Sequence, residues 1–416
     1  MVSVHSVFLI NLQFLWTSSL SVMANTKVAN RLAFLVYVVM SCCYFACFGQ
    51  STDTLRPGDI LRNNETLISA GGVFVLGFFS SGGSSSNHYM GIWLKNDKHK
   101  KPVWVANRGN PILDSSGLLT IRYDGNMVIT DVRRIPIIVN YGMLTTSSNT
   151  SAKLLDAGNL ILTESGNNVW QSFNYLSDTF LPGVKLGIFN LDTKSIKLNF
   201  LVSWVSPLVP TTGPYAVGLD WTNRTVCKVW RRDLAFRQIG FWDGHRFRFF
   251  FESDRYNFIY ASSSREISLT FKHKGNNSFS WIVLTSTGEI NEFTMLDHGV
   301  EFVNQTRCEG NSLLKSKGCL IPMPSVCRDD DKFSEIRGSM PNSIILSASI
   351  RVGPSDCEIM CRSNCSCTAY ASFHDDGTGC ELYYGDKKDL LNEIGKGNDN
   401  LIYVRGDAPA NSGRPY

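Results

Sequence analysis

From about residue 50 onward, apolar residues come in short runs cut by turn-forming clusters. Val73-Phe74-Val75-Leu76-Gly77-Phe78-Phe79, Tyr89-Met90-Gly91-Ile92-Trp93 and Val103-Trp104-Val105-Ala106-Asn107 are separated by Gly, Ser, Asn and Pro. Runs of this length with such boundaries predict strands, and no helical period is sustained up to about Trp170. The segment predicts an all-β domain. Inside it, Gly125-Asn126-Met127-Val128-Ile129-Thr130 recurs as Gly158-Asn159-Leu160-Ile161-Leu162-Thr163. Each copy follows an apolar strand (118–121 and 152–155) and a turn containing Asp124 or Asp156. A repeated strand–turn–strand unit suits a pseudo-symmetric β-prism, three faces around one core. Two similar hairpins without symmetry are the plainer alternative.

Farther along, aromatic and charged residues alternate in Phe247-Arg248-Phe249-Phe250-Phe251 and Phe279-Ser280-Trp281-Ile282-Val283-Leu284. These predict further strands, in a pattern many β folds share. Near the end, Ser355-Asp356-Cys357-Glu358 has the form of a capping box and predicts a helix start, with Ser355 capping the amide of Glu358. That helix would carry Cys357 and Cys361, four apart, on one face. A turn and strand follow over 364–371, and another strand opens at 379–383.

At 416 residues, 43% hydrophobic and 18% charged, the chain has room for several domains and enough apolar content to bury a core. The net charge of +4 is spread out. The densest basic stretch, Lys95, Lys98, His99, Lys100 and Lys101, runs straight into the strand-like 103–105 and reads as a solvated hairpin loop, so no nucleic-acid partner is expected.

The N-terminus changes the picture more. Leu32 to Phe48 is an apolar run preceded by Lys27 and Arg31 and followed by polar sequence from Gln50. It reads as a secretory signal peptide, a little short for a spanning helix. A second apolar stretch, Val7 to Leu20, lies upstream, which Met23 as the true start would explain; an uncleaved anchor is the alternative. Nothing after Gln50 is apolar for long enough to span a bilayer, so a released product is expected. Membrane association would then come only through an uncleaved N-terminal segment or a partner.

Of the twelve cysteines, Cys42, Cys43 and Cys47 lie in the segment expected to be removed. Cys227 stands alone, and eight crowd the last third, as disulfide staples do in an oxidising compartment. An odd number leaves a free or intermolecular thiol, with isolated Cys227 the first suspect. Six N-glycosylation sequons, at Asn64, Asn149, Asn223, Asn276, Asn304 and Asn364, agree with passage through the secretory pathway.

Catalytic signatures are missing. There is no glycine-rich phosphate loop after a strand, no H-R-D or D-F-G, no G-x-S-x-G and no H-E-x-x-H. His374-Asp375-Asp376 precedes Gly377 and reads as a turn, and Cys365-x-Cys367 with one nearby histidine lacks the paired spacing of a zinc site. No enzyme activity, cofactor or metal is expected.

Several stretches resemble the bulb-type, mannose-binding lectin domain at the head of plant S-domain receptor kinases and S-locus glycoproteins. They are Asp53-Thr54, 74–79, Gly91-Ile92-Trp93, Val103-Trp104-Val105-Ala106-Asn107-Arg108, Asn110-Pro111-Ile112, 154–160 and Trp170-Gln171-Ser172-Phe173. The run 177–187 and Leu201-Val202-Ser203-Trp204 continue the likeness into a second unit. The cysteine-rich end resembles a PAN/apple domain. The resemblance implies a mainly β chain: tandem bulb-lectin-type β-prism units, then a small disulfide-rich α+β PAN/apple domain. The implied layout is extension and signal 1–49, lectin domain 50–172, second lectin-like or S-locus segment 173–307, reduced EGF-like region 308–326, PAN/apple domain 327–407 and tail 408–416. By analogy with the PAN fold, Cys357 pairs with Cys380 and Cys361 with Cys367. Cys365 then needs a partner, for which Cys327 is the nearest candidate, leaving Cys308–Cys319 as a further bridge.

The family's mannose pocket is written Q-x-D-x-N-x-V-x-Y, with alternate residues on one strand face. Aligned on Asn126, the positions are Arg122, Asp124, Asn126, Val128 and Thr130, so Asp, Asn and Val are kept. Aligned on Asn159 they are Leu155, Ala157, Asn159, Ile161 and Thr163, and only Asn and an apolar residue survive. The candidate carbohydrate residues are therefore Asp124, Asn126, Val128 and Asn159. The plainer reading is that both asparagines satisfy turn backbone in a prism that binds nothing there. The resemblance implies extracellular recognition of a protein, peptide or glycan ligand, or pairing with a receptor-like kinase of the same family, as in pollen recognition or defence signalling. A working mannose-binding lectin is the alternative.

Overall fold

The computed structural model describes residues 53–82, 86–249, 255–275, 279–296, 299–306, 327, 332–394 and 400–406, with 34, 36 and 37. The rest of the expected signal segment, Asn276, Cys308, Cys319 and the expected EGF-like region lie outside the described residues, as does the expected tail. Thr52–Tyr416 forms one compact unit.

The alternating residues of the predicted hairpins build three four-stranded antiparallel sheets. One orders Thr54–Leu55, Thr150–Leu154, Leu160–Glu164 and Asn167–Gln171; a second, Ile60–Arg62, Leu118–Ile121, Met127–Thr130 and Ile137–Ile138; the third, Thr66–Ile68, Phe74–Ser80, His88–Leu94 and Pro102–Val105. The register places Leu119 opposite Ile129 and Ile121 opposite Met127. It likewise sets Ala152 opposite Leu162 and Leu154 opposite Leu160. All eight side chains are buried in one core, since every second residue of a strand faces the same side.

The same plan recurs downstream. Three more sheets order Thr179–Phe180, Phe279–Leu284, Ile290–Leu296, Gly299–Thr306; then Lys197–Asn199, Leu186–Phe189, Glu266–His273, Tyr256–Ser262; then Leu201–Trp204, Thr212–Leu219, Val226–Arg231, Leu234–Trp242, Phe247–Phe249. The buried cluster of the first prism continues through Phe180, Leu219, Phe271 and Leu284 of the second.

The repeat seen in the sequence is a shared turn. In both copies a glycine with positive φ (Gly125 +84°, Gly158 +82°) closes the hairpin. The amide of Arg122 donates to Asn126 O at 2.9 Å, as that of Leu155 does to Asn159 O. Gly288, at +81°, closes the same loop in the second prism, where the amide of Thr285 donates to Glu289 O. An L side chain strains at this φ, so the glycine, not the following Asn, is what the turn requires.

Cys227 is fully buried and unbridged. Burial pushes its thiol pKa far up, which leaves it inert and enclosed too deeply to reach another chain. His273 packs against Tyr256, Phe271 and Phe279, and its Nε2 accepts the Ser280 amide at 3.3 Å. Burial lowers its pKa, so the unfolded chain binds the proton more readily and stability falls as pH drops through about 6.5. The difference in melting temperature between pH 7 and pH 5 is expected to shrink in His273→Gln, which keeps an acceptor but cannot titrate. Equal pH slopes by differential scanning fluorimetry would refute this.

The last module orders Phe333–Arg337, Leu401–Arg405, Ala369–Ala371, Cys380–Tyr383 and Ile344–Ser347 in one sheet, with helices α1 (Pro354–Arg362) and α2 (Lys387–Glu393). Disulfides join Cys357 to Cys380, Cys361 to Cys367 and Cys327 to Cys365. The α1 start corrects the sequence expectation. The N-cap is Gly353, Pro354 takes the first helical position, and Asp356, not Glu358, reaches back to the cap amide at 3.2 Å. Proline supplies helical φ and lacks the amide that would need capping. Ser355 instead donates its hydroxyl to Ser286 O of the second prism at 2.9 Å.

Candidate recognition site

Asn126 and Asn159 sit on separate sheets, and each turns inward. Asn126 Oδ1 accepts from Asn140 Nδ2 at 2.9 Å, the Thr145 amide at 3.0 Å and Thr145 Oγ1 at 3.2 Å, while its Nδ2 donates to Thr145 O at 3.2 Å. Asn159 Nδ2 donates to Gln171 Oε1 at 2.9 Å, and its Oδ1 accepts from Ser172 Oγ at 3.1 Å and the Phe173 amide at 3.3 Å. Both residues are over 90% buried. They pin the chain segments that cross the sheet ends.

Of the other motif positions, Val128 is 2% exposed, on the strand face away from the core residues Met127 and Ile129. Asp124 is exposed, accepts the Asn126 amide at 3.0 Å and lies 4.0 Å from Arg122. Leu155, Ile161 and Thr163 are half-buried and Ala157 is exposed, with Thr163 Oγ1 bonded to Ser151 O at 3.2 Å. Among these positions only Asp124 and Arg122 offer exposed polar groups. A sugar needs several convergent groups to replace its bound water. Asn126→Ala is expected to destabilise the first prism by about 1–3 kcal/mol, because Thr145 and Asn140 lose buried partners. A denaturant midpoint no lower than wild type would count against this role.

The signature Val103-Trp104-Val105-Ala106-Asn107-Arg108 is likewise turned to joining. Trp104 Nε1 donates to Tyr175 O at 2.7 Å, and Asn107 Oδ1 accepts the Met90 amide at 2.8 Å. Arg108 crosses to the second prism, where Nε donates to Pro210 O at 2.7 Å and Nη2 to Val202 O at 3.0 Å and Ser203 O at 2.7 Å. Lys101 Nζ lies 3.5 Å from the centre of the Trp204 ring and 3.1 Å from Pro207 O. Buried Asp178 has its carboxyl pushed up by burial, an effect Lys101 and Arg108 oppose. Trp204 also packs with Tyr89 and Val105 of the first prism. Sequence reasoning read Trp104, Asn107, Arg108, Asp178 and Trp204 as family markers and Lys101 as part of a solvated loop, and missed that they lock the two prisms. The sequence hint was cations flanking a run of strand residues.

The second prism grips the PAN module through polar contacts too. Arg231 Nη2 donates to Ser355 O at 2.5 Å, Arg232 Nη2 to Asp356 Oδ1 at 2.9 Å and Ser206 Oγ to Asp376 O at 2.6 Å. His374 Nε2 lies 3.0 Å from Ala348 O, and the Gly377 amide donates to His374 O, so this group forms a turn. Asn64, Asn149, Asn223 and Asn364 are exposed; Asn304 lies in the strand Gly299–Thr306.

Residues 102–205 match the family described as D-mannose binding lectin, and 327–390 that described as PAN-like domain. Two compact prisms and a disulfide-stapled sheet, with those matches, define a lectin-domain and PAN-domain protein. A G-type lectin S-receptor-like serine/threonine-protein kinase of Arabidopsis thaliana is 32% identical over 378 residues, covering 86% of this chain and 43% of its own length. S-locus-specific glycoprotein S6 of Brassica oleracea is 28% identical over 410 residues, covering 86% of this chain and 92% of its own. The chain is a homologue of the S-locus glycoproteins and G-type lectin S-receptor kinases and spans their ectodomain region. It covers about half the length of the receptor-kinase relatives it matches. Among solved structures, monomeric monocot mannose-binding lectins from Gastrodia elata are similar at 18% identity and a TM-score of 0.23, covering 29% of this chain and 96% of theirs. That likeness is too slight to bear on ligand choice. No helix among the described residues is long and apolar enough to cross a membrane.

Proposed function

We propose that the protein is a non-catalytic recognition protein of the apoplast or cell surface. Its rigid platform presents a surface to an extracellular protein, peptide or glycan ligand, or to a receptor-like kinase of the same family. The lectin and S-locus homologues support the extracellular recognition role. One observation carries the choice of platform over sugar pocket: Asn126 and Asn159 spend their hydrogen bonds on the protein's own loops. The modules we assign are 50–172, 173–307 and 327–407, with glycans on the exposed sequons and a Cys308–Cys319 bridge between modules. Pollen recognition and defence signalling are the roles this platform would serve.

A working mannose lectin is the second reading, favoured by the D-mannose binding lectin match at 102–205. Glycan-array binding of wild type and Asp124→Ala separates the two. The platform reading expects no specific mannose signal at about millimolar sugar, together with co-purification of surface proteins. A mannose signal abolished by Asp124→Ala would overturn it.

A further inference from the structure

Where the second prism meets the PAN module, the surface opens into a cleft of about 270 Å³. Val202 and Ala216 give it an aliphatic lining, beside Thr212. Three charged groups line it: Arg232, Arg351 and Asp356. Both carboxylate oxygens of Asp356 are engaged, one by Arg232 Nη2 at 2.9 Å and the other by the Gly353 amide at 3.2 Å. Asp356 thus balances Arg232 and stabilises the start of α1. Arg351 is exposed and, among the described residues, forms no ion pair. The cleft therefore carries one cation without an ion pair among the described residues, beside an aliphatic lining.

We propose that this cleft receives an acidic side chain, Asp or Glu, of a peptide or protein ligand, with the carboxylate paired to Arg351 and the methylenes laid on Val202 and Ala216. A planar guanidinium suits a carboxylate because two parallel N–H groups can meet its two oxygens. The volume is just below the range of pockets that hold whole small molecules, about 300–1,000 Å³, and is ample for one side chain. A uronic acid would offer the same carboxylate but favours an exposed aromatic face for its ring. The one aromatic residue lining this cleft, Tyr215, is 2% exposed and lies under the Arg231 guanidinium at 5.5 Å. The inference names a ligand class for the recognition role proposed above and rests on it.

Calorimetric titration of the purified protein with acetyl-hexaglutamate amide tests it, with the hexaglutamine peptide and digalacturonate as comparators. The glutamate peptide is expected to bind, more weakly as salt rises, and about tenfold more weakly to Arg351→Ala. Arg351→Lys should recover part of the loss, and hexaglutamine should not bind. Arg351 is exposed, so both variants should melt with wild type. Equal binding by wild type and Arg351→Ala, no binding at about millimolar peptide, or tighter Arg351-dependent binding of digalacturonate would each overturn the proposal. If surface partners still co-purify with Arg351→Ala, the recognition role stands and only this cleft is lost.

Discussion

Arg108→Ala is expected to lower the stability of the two-prism body by about 3 kcal/mol, among the largest effects of any single change in the protein. The substitution removes three charge-assisted hydrogen bonds, leaving Val202, Ser203 and Pro210 carbonyls without the guanidinium. Each orphaned acceptor costs about 1 kcal/mol or more where water cannot replace the donor. Asp178 then stays buried with Lys101 as the one remaining cation named against its desolvation, beside the Thr179 hydroxyl that donates to it, and breaking such a set by removing one member is worse than losing the set. Arg108→Lys should recover little, because an ammonium is a point charge and cannot fork onto three carbonyls. Guanidinium unfolding followed by tryptophan fluorescence reads this directly, since Trp104 and Trp204 flank the seam. An Arg108→Ala midpoint within error of wild type would show that the prisms are held by their shared core alone.

The second large effect lies in the PAN module. Replacing Cys357 and Cys380 together by alanine releases a crosslink spanning 23 residues, and replacing Cys361 and Cys367 releases one spanning only 6. Loop-closure entropy ranks the first as the greater loss, about 3 against about 2 kcal/mol. The module has few other reserves. Its apolar interior is divided between a small cluster around Leu390, Ile402 and Val404 and another made largely of the cysteines themselves. Limited proteolysis should therefore cut within 332–406 first in the Cys357/Cys380 variant while the prisms stay intact. Equal protease resistance of both double variants would reject the loop-length account.

Much of the fold could be read along the chain, because strand periodicity and turn chemistry are local. The pair Gly125 and Gly158 announced a repeated hairpin, and the crowded cysteines announced a stapled module. Gly288 closes the same turn, but Glu289 stands where the other copies have asparagine, so the second prism carried a weaker signal. The candidate site was less legible. A motif lists which residues alternate along a strand, but not whether a neighbouring loop already occupies their hydrogen-bonding groups. For Asn126, the answer lay in Thr145 and Asn140, 19 and 14 residues away. The helix start at Gly353 lies two residues before the one expected at Ser355, because Pro354 takes the first helical position and Asp356 reaches back to the Gly353 amide, while the Ser355 hydroxyl is spent on the second prism.

The sequence by itself determined the short strands of the first prism, its repeated hairpin turn and the cysteine-rich end, all properties of residues within a few positions of one another. Only the tertiary structure decided that Arg108 bonds a segment about 100 residues away and that the mannose-motif asparagines are consumed internally. It alone placed Arg351, without an ion pair among the described residues, in a cleft between modules. Those outcomes depend on which surfaces meet when the core closes. A buried polar group takes whatever partner that closure brings within about 3 Å, and no local pattern encodes the distance.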